Sequence, residues 1–174
     1  MFDRDHGASR QGASRQGASR QGASARDVSP RDIAIQFLAR REYSRAELES
    51  RLHAKGVESE EIRLTLDNLA HAGLQSDARF AEVFVRSRVA RGQGPVKIRV
   101  DLGQRGISES LMALAFETES PDWPALACQA LAKRFDGPGA TPRERAKRER
   151  FLAGRGFEFD HVRHAMNWAW RDEI

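Results

Sequence analysis

The sequence has few means of covalent bracing and none of the usual marks of a membrane segment. It holds one cysteine, Cys128, in 174 residues, so no disulfide can staple the fold and a cystine-rich secreted scaffold is excluded. Cys128 lies beside Leu126, Ala130 and Leu131, which predicts a buried, inert thiol. No run of 18 apolar residues occurs, which excludes a spanning helix, and the first residues lack the apolar core of an export signal. With 40% apolar and 31% charged residues, the expectation is a soluble, cytoplasmic chain of one compact domain or a few small modules, without membrane contact.

Reactive constellations are lacking too. The five histidines, His6, His53, His71, His161 and His164, include one pair on a shared helix face, His161 and His164. No Cys, Asp or Glu completes a metal signature with them. Glu58, Glu60 and Glu61 cluster where a helix should begin, and there the dipole favours negative charge without any catalytic role. Arg91-Gly92-Gln93-Gly94-Pro95 has the glycines of a phosphate loop but lacks the Gly-Lys-Ser ending and a preceding strand, so it reads as a turn between helices. Neither an enzyme nor a cofactor or metal is expected.

What the chain does have is a short stretch repeated three times. Leu52-His53-Ala54-Lys55-Gly56-Val57, Leu102-Gly103-Gln104-Arg105-Gly106-Ile107 and Leu152-Ala153-Gly154-Arg155-Gly156-Phe157 each place a basic residue three after leucine, then glycine, then an apolar residue. The glycines fall at 56, 106 and 156. This is a helix-end pattern: the basic residue complements the dipole, glycine takes the left-handed conformation, and the apolar residue folds back as a lid. Apolar residues at helical spacing follow each corner: Ile62 and Leu66, Met112 and Phe116, Val162 and Met166. The period indicates tandem repeats of one helical unit.

Start signals complete the units. Pro30 opens a helix with Ile33, Ala34, Phe37 and Leu38 inward; Ser44 and Glu47 form a capping box; Ser76 or Asp77 caps a helix with Phe80, Ala81, Phe84 and Val85; Thr141-Pro142-Arg143-Glu144 combines a cap, a first-turn proline and a third-position glutamate. The predicted architecture is all-α: three tandem three-helix modules, residues 30–74, 75–120 and 121–174, in an elongated, curved array. Residues 1–29 form a tail in which Gly-Ala-Ser-Arg-Gln recurs; that composition predicts disorder. In the third module the repeat weakens, because Arg148 stands where Leu48 and Ile98 stand in the others. The helix carrying Arg148 either starts earlier than its equivalents or packs less deeply. Trp168 and Trp170 are two apart, so one should pack while the other is exposed.

Charge is the remaining signal. The formal net charge is +4, and from Arg79 to Gly106 seven basic residues face two acids. Arg86, Arg88 and Arg91 close one helix, while Lys97, Arg99 and Arg105 belong to the next; Arg143, Arg145, Lys147, Arg148 and Arg150 form a second patch. Either could grip phosphates or carboxylates, or be a solvated surface. No Asn or Gln set is placed to read base edges.

Asp77-Ala78-Arg79-Phe80-Ala81, Arg86, Arg91-Gly92-Gln93-Gly94-Pro95-Val96-Lys97-Ile98, Leu102 and Arg105-Gly106-Ile107 together resemble the RecX family of bacterial regulatory proteins, over roughly Pro30 to the C-terminus. The resemblance implies a non-enzymatic, monomeric protein of tandem three-helix modules. It would bind the RecA recombinase or its filament on single-stranded DNA and modulate, chiefly inhibit, recombination, ATPase and co-protease activities. Asp77, Phe80, Ala81, Gly94, Ile98, Leu102, Gly106 and Ile107 match the family pattern as caps, turns and core. Arg86, Arg88, Arg91, Lys97, Arg99, Arg105, Arg143, Arg145, Lys147 and Arg150 are the candidate partner or DNA-binding face. The alternative is a protein binding single-stranded or duplex DNA directly through its basic faces.

Overall fold

The computed structural model describes residues 28–171; the expected tail lies almost wholly outside them. The described residues form nine helices and no strand, in the order α1 (Pro30–Leu38), α2 (Arg45–His53), α3 (Ser59–His71), α4 (Asp77–Ala90), α5 (Pro95–Gly103), α6 (Glu109–Glu119), α7 (Trp123–Arg134), α8 (Pro142–Gly154) and α9 (Phe159–Trp168). Most helices start where a side chain supplies an acceptor for their unpaired N–H groups. The Ser44–Glu47 and Thr141–Glu144 capping boxes both form, and Ser76 Oγ accepts from Arg79 N at 3.3 Å.

Each module closes its own core. Ala34, Leu48, Leu52, Ile62, Leu66 and Leu69 are buried together in the first; Phe80, Ala81, Val85, Ile98, Leu102 and Met112 in the second; Ala127, Leu131, Leu152, Val162 and Met166 in the third. The repeated corner ends the middle helix of each. Gly56, Gly106 and Gly156 adopt φ of +81°, +75° and +87°. Val57, Ile107 and Phe157 each donate their N–H back to the carbonyl of Leu52, Leu102 or Leu152, at 3.1 to 3.2 Å. That six-to-one bond and the apolar lid are the expected helix ending.

The third module departs from its siblings at Arg148. Helix α8 has 13 residues against nine in α2 and α5, so it does begin earlier. Arg148 fills the place of a core leucine by lying over the Phe135 ring at 4.7 Å and donating from Nε to Gly137 O at 2.7 Å. The side chain substitutes its planar face for an aliphatic one while its polar edge finds a carbonyl. Cys128 is half-buried at the edge of this core rather than fully enclosed. Trp170 packs against the core, whereas Trp168 is 51% exposed.

The modules join through their corners, in a head-to-tail row. At the first joint the Asp77 carboxylate accepts from Arg45 N at 2.8 Å, the first residue of α2, and from the Gln75 amide at 2.9 Å; buried Gln75 also donates to Tyr43 O. The helix cap here is Ser76, and Asp77 is a staple between modules. Corner Gly106 rests on α2, where an added Cβ would lie 2.9 Å from Ala46 Cβ. Asp77→Ala would leave a partly buried backbone N–H unpaired. It should lower unfolding free energy by about 1–3 kcal/mol, read from urea denaturation; no change would mean that water replaces the carboxylate.

At the second joint the corner does more. Helix α5 has Gly94 as its N-cap and no side-chain acceptor. Its first N–H groups are instead taken by the third corner: Gly94 N donates to Arg155 O at 2.8 Å, and Val96 N to Gly156 O at 3.0 Å. In return Arg155 Nη1 donates to Arg91 O at 2.9 Å. Trp123 packs against both neighbouring cores, edge-on to Phe116 at 5.7 Å.

Candidate functional site

The basic residues divide according to what each guanidinium or ammonium meets. In the second module most are engaged within the fold. Arg86 grips Glu119 through two bonds of 2.6 and 3.1 Å, and this pairing raises the Arg86 pKa above the ordinary arginine value. Arg99 reaches Glu158 of the third module at 3.1 Å and lies over the Phe116 ring. Arg105 points to Glu47 of the first module at 3.6 Å and donates to Asp101 O. Arg88 and Arg105 lie over the Phe84 ring, 4.5 and 4.9 Å from its centroid.

These residues differ in what holds them. Arg88, Arg91 and Arg105 line a groove with Arg41, Glu42 and Glu47 from the first module. Arg86 turns away to α6 and Arg99 to the third module. The paired members attach to three different elements: Arg86 to α6, Arg99 to the third module and Arg105 to α2. Three members keep their charged ends without an ion pair among the described residues: Arg88, which lies over Phe84 of its own helix, and Arg91 and Lys97, which flank the second joint. Lys97 supplies the backbone on which Gly156 sits.

The third module is different. Arg143, Arg145 and Arg150 are exposed and make no ion pair among the described residues, and Lys147 has only the Phe135 ring at 6.0 Å. Arg143, Lys147 and Arg150 stand at i, i+4 and i+7 and so share one face of α8. Arg145 and Arg150 also edge a groove of about 480 Å³ whose floor includes Phe157, Val162 and Met166, with Phe159 76% exposed at its lip. At the start of α8, Thr141 and Ala140 N–H groups donate to Glu144 and hold its carboxyl below the ordinary glutamate range, so this acid is occupied in capping.

The histidines have local work. His161 Nδ1 accepts from Glu158 N at 3.3 Å, and its ring lies near Trp123 and Phe157; His164 stacks on Trp168 at 6.1 Å. Among the described residues no group of three or more His, Cys, Asp or Glu is arranged to hold a metal ion, and no helix is long and apolar enough to cross a membrane.

The same order of modules recurs in known proteins. Residues 31–69, 76–115 and 122–166 match, in sequence, the first, second and third three-helix domains of RecX. The chain belongs to the RecX family. It is 63% identical over 138 residues to the regulatory protein RecX of Chromohalobacter salexigens, covering 79% of this chain and 91% of that one. It is 42% identical over 140 residues to that of Halorhodospira halophila, covering 80% and 87%. The crystal structure of RecX from Lactobacillus salivarius shares the fold, with a TM-score of 0.63 and 20% identity over 79% of this chain and 92% of that one. A second RecX crystal structure gives a TM-score of 0.68 at 22% identity, over 79% and 73%.

Sequence reasoning missed the residues that join the modules. Arg155 reads locally as a helix-end base, and nothing nearby signals that it reaches 64 positions back to Arg91. One clue was present: α5 begins with Gly-Pro and no Ser, Thr, Asp or Asn, so its cap had to come from elsewhere.

Proposed function

We propose that this protein binds the RecA recombinase in its filament on single-stranded DNA and restrains it, as the RecX resemblance implies. The observation that carries the reading is the match of all three family domains, in order, to three separately cored modules. Head-to-tail joints give a row rather than a ball, and a row can contact successive subunits of a helical polymer at once. Of the candidate residues, Arg88, Arg91, Lys97, Arg143, Arg145, Lys147 and Arg150 are without an ion pair among the described residues and so available for acidic protein surface or DNA phosphate. Arg86, Arg99 and Arg105 hold neighbouring elements and contribute indirectly.

The test is a RecA ATPase time course on single-stranded DNA, with this protein added after filament assembly. Progressive decay is expected if the row blocks regrowth of the filament, and immediate loss if it distorts subunits already in place. Unchanged turnover, with no co-sedimentation on filaments, overturns the proposal.

A second reading, direct DNA binding, draws on the unpaired basic face of α8. It requires tight binding to single-stranded DNA without recombinase, weakening steeply with salt. Fluorescence anisotropy across a salt series separates the two.

A further inference from the structure

At the second joint, α4, α7 and α8 enclose a cleft of about 400 Å³. Arg91 from the end of α4, Lys133 and Arg134 from the end of α7, and Arg155 from the third corner all line it, and no carboxylate does. Its remaining wall includes Leu126 and Phe151. Four basic residues around a concavity that no carboxylate lines give it a positive potential, and an anion seated there would be stabilised. The groove at the first joint differs, since carboxylates line it beside its arginines and Glu47 faces Arg105. Arg155 is bound through Nη1 to the carbonyls of Arg91 and Gly92 and lies over the Phe151 ring at 4.9 Å, which leaves its other N–H donors for a ligand.

We infer that this cleft binds a nucleotide: its phosphates among Arg91, Lys133, Arg134 and Arg155, its base or sugar against Leu126 and Phe151. The nucleotide is either free or one residue of a single strand, since both offer the same phosphate and ring chemistry. Arg155 belongs to the cleft and to the clamp on the α4–α5 turn. An anion that fixes its guanidinium therefore also fixes the third module against the second, and ligand binding tightens the joint. Every group that this requires lies within the one chain, so the binding does not depend on a recombinase.

The test uses the full chain with three probes: inorganic pyrophosphate, ADP and a twelve-residue oligothymidylate. Binding is followed by isothermal titration and by thermal unfolding at low and moderate salt. ADP and pyrophosphate are expected to bind and to raise the midpoint of unfolding. In Arg91→Glu/Lys133→Glu, which alters two exposed side chains without ion pairs, affinity should fall at least tenfold. The neutral Arg91→Gln/Lys133→Gln, checked for unchanged helical content, should give an intermediate loss. Competition between ADP and the oligonucleotide assigns both to the one cleft. Binding of the oligonucleotide alone, weakened in both variants, assigns the phosphates to a strand. If no probe binds, or if both variants bind as tightly as the parent, the inference is wrong.

Discussion

Gly94→Ala should undock the third module while leaving each module's own core intact. Gly94 has φ −86° and ψ 169°, a conformation open to any residue, so the backbone itself poses no obstacle. The obstacle is the neighbour. An added Cβ would fall inside the backbone of Gly156 and Phe157, far below van der Waals contact, and main chain cannot swing aside as a side-chain tip can. Overpacking of this kind costs about 1–3 kcal/mol and occasionally more. Separation would also remove the acceptors that cap α5 and the Arg155 bond to Arg91. A total of about 3 kcal/mol is the expected loss, with faster proteolysis at residues 120–122 and a larger radius of gyration in solution scattering.

Gly156→Ala should be worse. It adds the cost of the left-handed conformation, about 1–2 kcal/mol, to a Cβ 2.6 Å from Lys97 N. Gly56→Ala is the control: φ is +81° but nothing lies within 4 Å, so only the conformational cost applies. Equal losses at 56 and 156 would show that the close approach at the second joint contributes nothing.

The contrast among these glycines marks what a sequence can disclose. The corner is a local device: leucine, basic residue, glycine and lid lie within six residues, and the bonds they make run between those same residues. Its three occurrences, the capping boxes and the helical spacing of apolar residues together made the all-helical, three-module fold legible. The joints depend on residues 32 to 64 positions apart, such as Asp77 with Arg45 and Arg155 with Arg91. No periodicity encodes such pairs. The same limit applies to charge. Arg86 and Arg143 look alike in the sequence, yet one is held by Glu119, 33 residues away, and the other makes no ion pair among the described residues. A count of basic residues pointed to both the middle module and α8 but could not say that Arg86, Arg99 and Arg105 are engaged by carboxylates of other elements.

Charge reversal on α8 should consequently separate binding from folding. Arg143→Glu/Lys147→Glu/Arg150→Glu changes three exposed positions on one helical face, and within the fold it disturbs little beyond the weak approach of Lys147 to the Phe135 ring. Far-ultraviolet circular dichroism should be unchanged. If α8 meets acidic protein surface or DNA phosphate in the RecA filament, the concentration needed to suppress its ATPase should rise at least tenfold, about 1.4 kcal/mol or more. Parent and variant should converge as salt screens the interaction over about 10 Å at 0.1 M. The paired residues give the opposite pattern. Arg86→Gln/Arg99→Gln removes two ion pairs, one to half-buried Glu119 and one to exposed Glu158, in both of which the arginine faces water and the attraction is screened. It should lower stability slightly and leave inhibition within about twofold of the parent. An α8 variant that retains full inhibition at low salt would remove this face from the interface and return the weight to Arg88, Arg91 and Lys97, which make no ion pair among the described residues.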